Sequence, residues 1–368
     1  MVGRTIGVVW NLTSTVRGLS AGLIFMNKVA VKRKSRFVRT RVRELRMISK
    51  ALLSSRHPVL AHIIPIRRCN LSCAYCNEYD NFSKPLPPET MYRRLDRLAD
   101  LGTSIITISG GEPLLHPQLE DIIRHIRLRG MIAGMITNGY LLTQARIESL
   151  NDAGLEHLQI SIDNVKPDDI SKKSLKVLDQ KLKLLAEHAV FQVNINSVLG
   201  SAVKNPDDAL TVARRAIELG FTSTVGVIHD HEGQFRPLSA QQRKLFSTIM
   251  SMGKRSYSRF NRHQKYVAQG IPRDWRCRAG SRYLYVCEDG LVHYCSQQRG
   301  YPGIPLENYT PQHLDHEYHT IKSCAPRCTI QCVQHIALLD NWRHPQTLPG
   351  FERPVEPVGE LQPTVPES

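Results

Sequence analysis

Between residues 60 and 230, short apolar runs alternate with longer stretches whose apolar residues recur at steps of three and four. The runs predict buried strands at 63–66, 104–109, 131–137, 158–162, 191–198 and 222–228. The longer stretches predict helices at 89–101, about 118–129, 143–154, about 178–188 and 206–219. Pro87 and Pro88 prepare the first of these, and Gly102, Gly130, Gly154 and Gly220 stop four of them. Strands joined through helices imply a parallel sheet with helices outside, here a partial (β/α)6 barrel of the α/β class. In such a fold chemistry gathers at the C-terminal strand ends. The pattern divides the chain into an arm over 1–58, the barrel over 59–235, a linker helix and cysteine-rich region over 236–340, and a tail over 341–368. The last 26 residues hold six prolines and four glutamates, so the tail is expected to be disordered.

Charge changes the picture only at the N-terminus. Residues 1–60 carry thirteen Lys or Arg and one acid, Glu44, which is +12 of the net +16. This argues against a basic surface spread over the whole sheet, and with it against a nucleic-acid partner. The apolar run at 18–27 is too short to span a bilayer. Beyond it, Val38, Val42, Leu45, Ile48 and Leu52 recur at helical steps among Arg36, Arg39, Arg43, Arg46 and Lys50. A basic amphipathic helix of this kind is expected to lie on an anionic membrane face. Packing on the protein body and RNA binding are the alternatives. The expected location is cytoplasmic, peripheral on the inner membrane face.

Nine cysteines fall in two groups: Cys69, Cys73 and Cys76, then Cys277, Cys287, Cys295, Cys324, Cys328 and Cys332. An odd count in two clusters points to metal binding in a reducing compartment rather than a disulfide framework. The first group reads CxxxCxxC and follows the first predicted strand. Three thiolates on one loop can hold three irons of a [4Fe-4S] cube and leave the fourth open for a ligand. After the second strand comes Gly110-Gly111-Glu112-Pro113, where glycines permit close backbone approach and the carboxylate can pair with an ammonium group. Thr137, Asn138, Ser161 and Asp163 stand at later strand ends, and Asn194 and Asn196 share one face of the fifth strand. His62, His116 and His188 lie in apolar surroundings and read as structural. His229, Asp230 and His231 follow the sixth strand at the expected active mouth, where a proton-transfer role is open.

The CxxxCxxC loop and the GGEP element together resemble the radical S-adenosylmethionine (radical SAM) superfamily over residues 60–335. The resemblance implies an enzyme in which Cys69, Cys73 and Cys76 hold a cluster whose open iron binds S-adenosylmethionine, and reductive cleavage gives a 5′-deoxyadenosyl radical that abstracts hydrogen from a substrate C–H bond. It also implies cofactor contacts by Tyr75, Gly110, Gly111, Glu112, Asn138, Ser161, Asp163 and Asn194, and an electron donor such as flavodoxin or ferredoxin. Cys277, the Asp289-Gly290 turn and Cys295 resemble the opening of the SPASM or twitch domains. This implies one auxiliary [4Fe-4S] cluster on Cys277, Cys295 and two of Cys324, Cys328 and Cys332. Cys287 departs from that pattern, and a structural zinc site is the rival for the region.

For the substrate, the basic arm favours a lipid-linked or membrane-associated molecule, in loose similarity to hopanoid-modifying radical SAM enzymes, whose C-terminal region these cysteines do not match. The alternative is maturation of a ribosomal peptide, as SPASM enzymes perform. A non-catalytic Fe–S carrier is the third reading.

Overall fold

The computed structural model describes residues 31–76, 78–228, 236–252 and 262–343. The apolar run at 18–27, the His229-Asp230-His231 cluster and the tail beyond residue 343 lie outside them. Six βα units build the expected sheet: β1 (Leu60–Ile63), β2 (Ile105–Ile108), β3 (Ile132–Thr137), β4 (His157–Ser161), β5 (Gln192–Leu199) and β6 (Thr222–Val227). Each pairs with its neighbour in parallel, and the sheet does not close. The outer layer is α2 (Pro88–Asp100), α3 (Leu119–Leu128), α4 (Gln144–Ala153), α5 (Leu175–His188) and α6 (Asp208–Glu218). Met91, Leu95 and Leu98 of α2 are buried at steps of four and three. They meet Ile106 and Ile108 in the main core.

The first strand starts three residues before the predicted run and ends at Ile63, because Pro65 offers no N–H to continue a ladder. Polar His62 is kept in that strand by packing against Tyr283 and Tyr285, with ring centroids 5.3 and 6.2 Å away. Burial holds it neutral, with its pKa lowered to about 4.

Past α7 (Ala240–Met252) and α8 (Arg262–Gln269), the cysteine-rich segment extends the same sheet. β7 (Tyr283–Val286) lies parallel to β1, and β8 (Leu291–His293) and β9 (Pro302–Pro305) follow antiparallel. The order is β6-β5-β4-β3-β2-β1-β7-β8-β9. After α9 (Pro311–His319) the chain returns through α10 (Gln331–Leu338), which packs with Leu60, Ile64 and Tyr283 in a second core. Gln331 donates to the Val225 carbonyl of β6 at 2.8 Å. The cysteine-rich segment therefore reaches from one sheet edge to the other.

The arm's helix, α1 over 31–53, packs on the body, but not through its apolar stripe as the packing alternative would have it. Its polar face docks on the body: Arg33 donates to carbonyls at the end of α5, Arg36 to the Asn151 carbonyl at 2.7 Å, and Thr40 and Arg43 to Glu156. Arg282, fully buried, reaches the carbonyls of Ala51 and His57 and pairs with Asp340 at 2.9 Å. The contacts at Gly102, Glu156 and Arg282 lie just before β2, β4 and β7, so α1 lies under the N-terminal strand ends. No helix of the described residues is long and apolar enough to cross a membrane.

Candidate active site

The cysteine loop leaves the C-terminal end of β1 and is tied at its base by Cys69 N–H to the Asp80 carbonyl at 3.0 Å and Asp80 N–H to Arg67. A tight turn follows, with Cys76 N–H donating to the Cys73 carbonyl at 3.0 Å. Cys73 is buried and Cys69 and Cys76 are half-buried. Burial raises the pKa of Cys69 and Cys76, and each is raised further by another thiol of the loop, Cys76 and Cys73 respectively. Two thiols so raised stay protonated until a cation compensates the charge.

The GGEP element is packed against this loop. Gly111 donates to the Ile66 carbonyl and Glu112 to the Arg68 carbonyl. A Cβ on Gly111 would stand 2.1 Å from the Arg67 oxygen, and Gly110 has φ of +123°. The glycines thus allow approach of the cysteine loop's own backbone, where the sequence suggested approach of a ligand. Glu112 is fully buried, and its carboxylate accepts from Leu114 N–H (2.9 Å), Thr137 Oγ1 (2.6 Å) and Asn138 N–H (2.8 Å). Burial raises its pKa, opposed by those three bonds. It clasps the ends of β2 and β3. Asn138 carries the clasp on to the cysteine loop, donating to Asn70 at 2.7 Å with Cys69 Sγ at 3.7 Å.

Tyr75 and Asp163 meet through a short hydrogen bond, and Ser171 donates to the same carboxylate oxygen at 2.7 Å. Lys173 completes the group, 2.8 Å from Tyr75 Oη and 3.8 Å from Asp163. Burial opposes its charge, yet Tyr75, Asp163 and Cys73 hold its pKa well above the ordinary value. Asp163 Oδ1 and Asn164 Oδ1 are buried without a partner, and both residues line a cleft with Tyr75, Ser171, Val198 and Ile228. A polar ligand of the cleft would satisfy them. Lys173 and Ser171 were not singled out from the sequence, since nothing in Ser-Lys-Lys-Ser marks them; only the fold brings residue 173 back over residue 75.

Ser161 ends β4, in register with Asn196. Asn194 is not brought to the loop. It lies near the start of β5 and bonds Gln159 and Thr224, with Thr222 donating to its carbonyl oxygen. Together with Asn196, which accepts from Thr224, these residues form a polar ladder across the half-buried face of β4, β5 and β6. His116 and His188 have structural settings: His116 is fully buried on the Leu86 carbonyl, and His188 lies beside Glu148.

Five downstream thiols converge. Cys295 is raised to about 12, by burial first and then by Cys277, Cys324 and Cys332; Cys328 is raised likewise by burial and by Cys277, Cys295 and Cys324. Cys332 accepts a hydrogen bond from Tyr283 and feels Glu78, which stands two residues past Cys76 and is itself pushed up to about 7 by burial. The two cysteine groups therefore approach each other across Glu78 and Tyr283.

Cys287 stands apart from the five. Its thiol lies with Asp289 and His293 within 4.8 Å, a spacing that would suit a cation. However, His293 Nδ1 accepts Gly300 N–H at 2.8 Å, so the neutral ring carries its proton on Nε2, toward Asp289 at 3.3 Å. No lone pair is left for a metal. This trio closes the hairpin.

A sequence model of the radical SAM superfamily matches residues 63–234. Residues 63–234 are a radical SAM domain. Similar curated proteins include GTP 3′,8-cyclase of Aquifex aeolicus, 31% identical over 185 residues, 44% of this chain and 56% of that protein. PqqA peptide cyclase of Ruegeria pomeroyi is 36% identical over 160 residues, 42% of each chain. The chain thus spans about half the length of these curated relatives. Among solved structures, Streptococcus suis SuiB bound to S-adenosylmethionine has a TM-score of 0.54 at 15% identity, covering 72% of this chain and 68% of that one. The fold of anSMEcpe, solved with bound AdoMet and a peptide, matches with a TM-score of 0.50 at 15% identity over 78% of this chain and 98% of that one. The radical SAM domain uses a [4Fe-4S] cluster and S-adenosylmethionine, and the thiol triad with the unpaired Asp163 and Asn164 oxygens fits them.

Proposed function

We propose that this chain is a radical SAM enzyme acting on a peptide, with a second iron–sulfur site in the downstream cysteines. When bound, the cluster and S-adenosylmethionine supply a carbon-centred radical that abstracts hydrogen. The protein's part is to orient and to exclude water. Cys69, Cys73 and Cys76 would hold the cluster, Glu112 and Asn138 fix the loop, and Lys173 keeps a positive charge beside Tyr75 and Asp163.

The observation that carries the substrate class is the polar ladder of Gln159, Asn194, Asn196, Thr222 and Thr224 inside the sheet. Its side chains are amides and hydroxyls without a Lys or Arg, which suits neutral backbone amides and leaves a nucleoside triphosphate without countercharge. Similarity to peptide cyclases and to the folds of SuiB and anSMEcpe points the same way. The membrane lipid expected from the arm finds no support: α1 lies under the N-terminal strand ends, whereas the cysteine loop lies beyond the C-terminal ends.

The auxiliary site is read as Cys277, Cys295, Cys324 and Cys328, because the Cys332 thiol is taken up by the Tyr283 hydroxyl. The test of the function is a search of the neighbouring genes for a short precursor peptide and co-expression of this chain with it, followed by mass spectrometry. Loss of hydrogen mass from the peptide, absent with Cys73→Ala, is expected; an unmodified peptide with a fully iron-loaded enzyme refutes the reading.

A further inference from the structure

α1 presents to solvent the face that a packed amphipathic helix would bury. Val31, Val38, Val42, Leu45, Leu52 and Leu53 are all exposed, Val42 at 61% and Leu45 at 64%. At 100° per residue they form one stripe opposite the docking face of Arg33, Arg36, Thr40, Glu44 and Ala51. Bases line both margins of the stripe: Lys34 and Arg41 on one, Lys32, Arg39 and Arg46 on the other, all exposed. The helix's one acid, Glu44, is turned inward, 3.3 Å from His157.

We infer that the outward face of α1 is a docking surface for an anionic lipid bilayer. An apolar stripe sinks to the acyl boundary while long basic side chains along its margins reach the headgroups. Charge chooses this occupant over a second copy of the chain, because two such stripes packed together would bring Lys and Arg against Lys and Arg with no acid between them. The attachment is inverted: the helix lies beneath the N-terminal strand ends, so the cysteine loop, beyond the C-terminal ends, faces away from the bilayer. The surface is independent of the peptide reading, and it is tested without turnover.

The experiment is flotation of the full chain with vesicles of phosphatidylglycerol and phosphatidylcholine, and with phosphatidylcholine alone. Flotation is expected with the anionic vesicles only, weakening as salt rises. The double variant Val42→Glu, Leu45→Glu is expected to lower partition at least tenfold with its melting temperature unchanged, since neither side chain touches the core. Lys34→Gln and Arg46→Gln are each expected to lower it about fivefold. Equal flotation of wild type and the double variant would place membrane contact elsewhere in the chain and overturn the inference. So would a dimer in light scattering that the double variant dissolves while neither form floats.

Discussion

Replacing Glu112 with Gln separates two roles that its sequence motif leaves merged. In the structure the carboxylate is fully buried and accepts three donors, two on Oε1 and Asn138 N–H on Oε2. The best placement of a glutamine keeps its oxygen on Leu114 and Thr137 and turns its NH2 toward Asn138 N–H, donor against donor. One stranded buried N–H costs about 1–3 kcal/mol, and loss of the charge from the remaining two bonds adds about 1 kcal/mol. With a Tm change of about 2–4 °C per kcal/mol for a domain of this size, the variant is expected to melt roughly 4–16 °C lower. Anaerobic thermal melts by circular dichroism read this directly, with S-adenosylmethionine affinity measured below the transition. An unchanged Tm accompanied by lost affinity would refute the clasp and make Glu112 a ligand contact instead.

Four other outcomes follow from named contacts. Gly111→Ala forces a Cβ onto the Arg67 and Arg68 carbonyls and is expected to lower iron per chain, whereas Gly130→Ala, with φ of +79° and open space, costs only about 1–2 kcal/mol in a melt and keeps its iron. Arg282→Met takes one guanidinium from buried Asp340, which keeps Arg343, and strips the His57 carbonyl of its donor; it is expected to cost about 1–3 kcal/mol in urea unfolding. Cys287→Ala is expected to keep the full iron and sulfide content, while Cys295→Ala loses the second cluster; zinc in place of iron there would overturn the auxiliary assignment. His57 and His62, lowered by burial to about 3 and about 4, take up protons in the unfolded chain first, so stability falls as pH drops below the unfolded value of 6.5. At pH 5 each costs about 2 kcal/mol, and His62→Phe is expected to flatten its share of the Tm–pH curve; an unchanged slope would contradict the assignment.

The strands and helices of the barrel were legible because apolar period and glycine stops agree at four of the five helices. Thr143, for example, caps α4 on Arg146 N–H, and Gly154 ends it in the left-handed region. The cysteine loop was equally legible, being local. What local pattern could not carry was long-range return: Lys173 over Tyr75, β7 beside β1, and Tyr283 on Cys332. The position of Asn194 near the start of β5 was likewise not legible, because alternation tells the face of a strand but not the depth along it. The helical period of the arm is local and legible, but the docking of its polar face is not, because Thr40, Arg43 and Arg36 find buried carboxylate and carbonyl partners that only the folded body provides.

The central claim is that the Cys69, Cys73 and Cys76 loop, held by the Glu112 clasp, supports radical chemistry on S-adenosylmethionine. Anaerobically reconstituted protein mixed with dithionite and S-adenosylmethionine should form 5′-deoxyadenosine, and Cys73→Ala should form none. Wild-type protein that is fully loaded with iron and sulfide and yet yields no 5′-deoxyadenosine would contradict it.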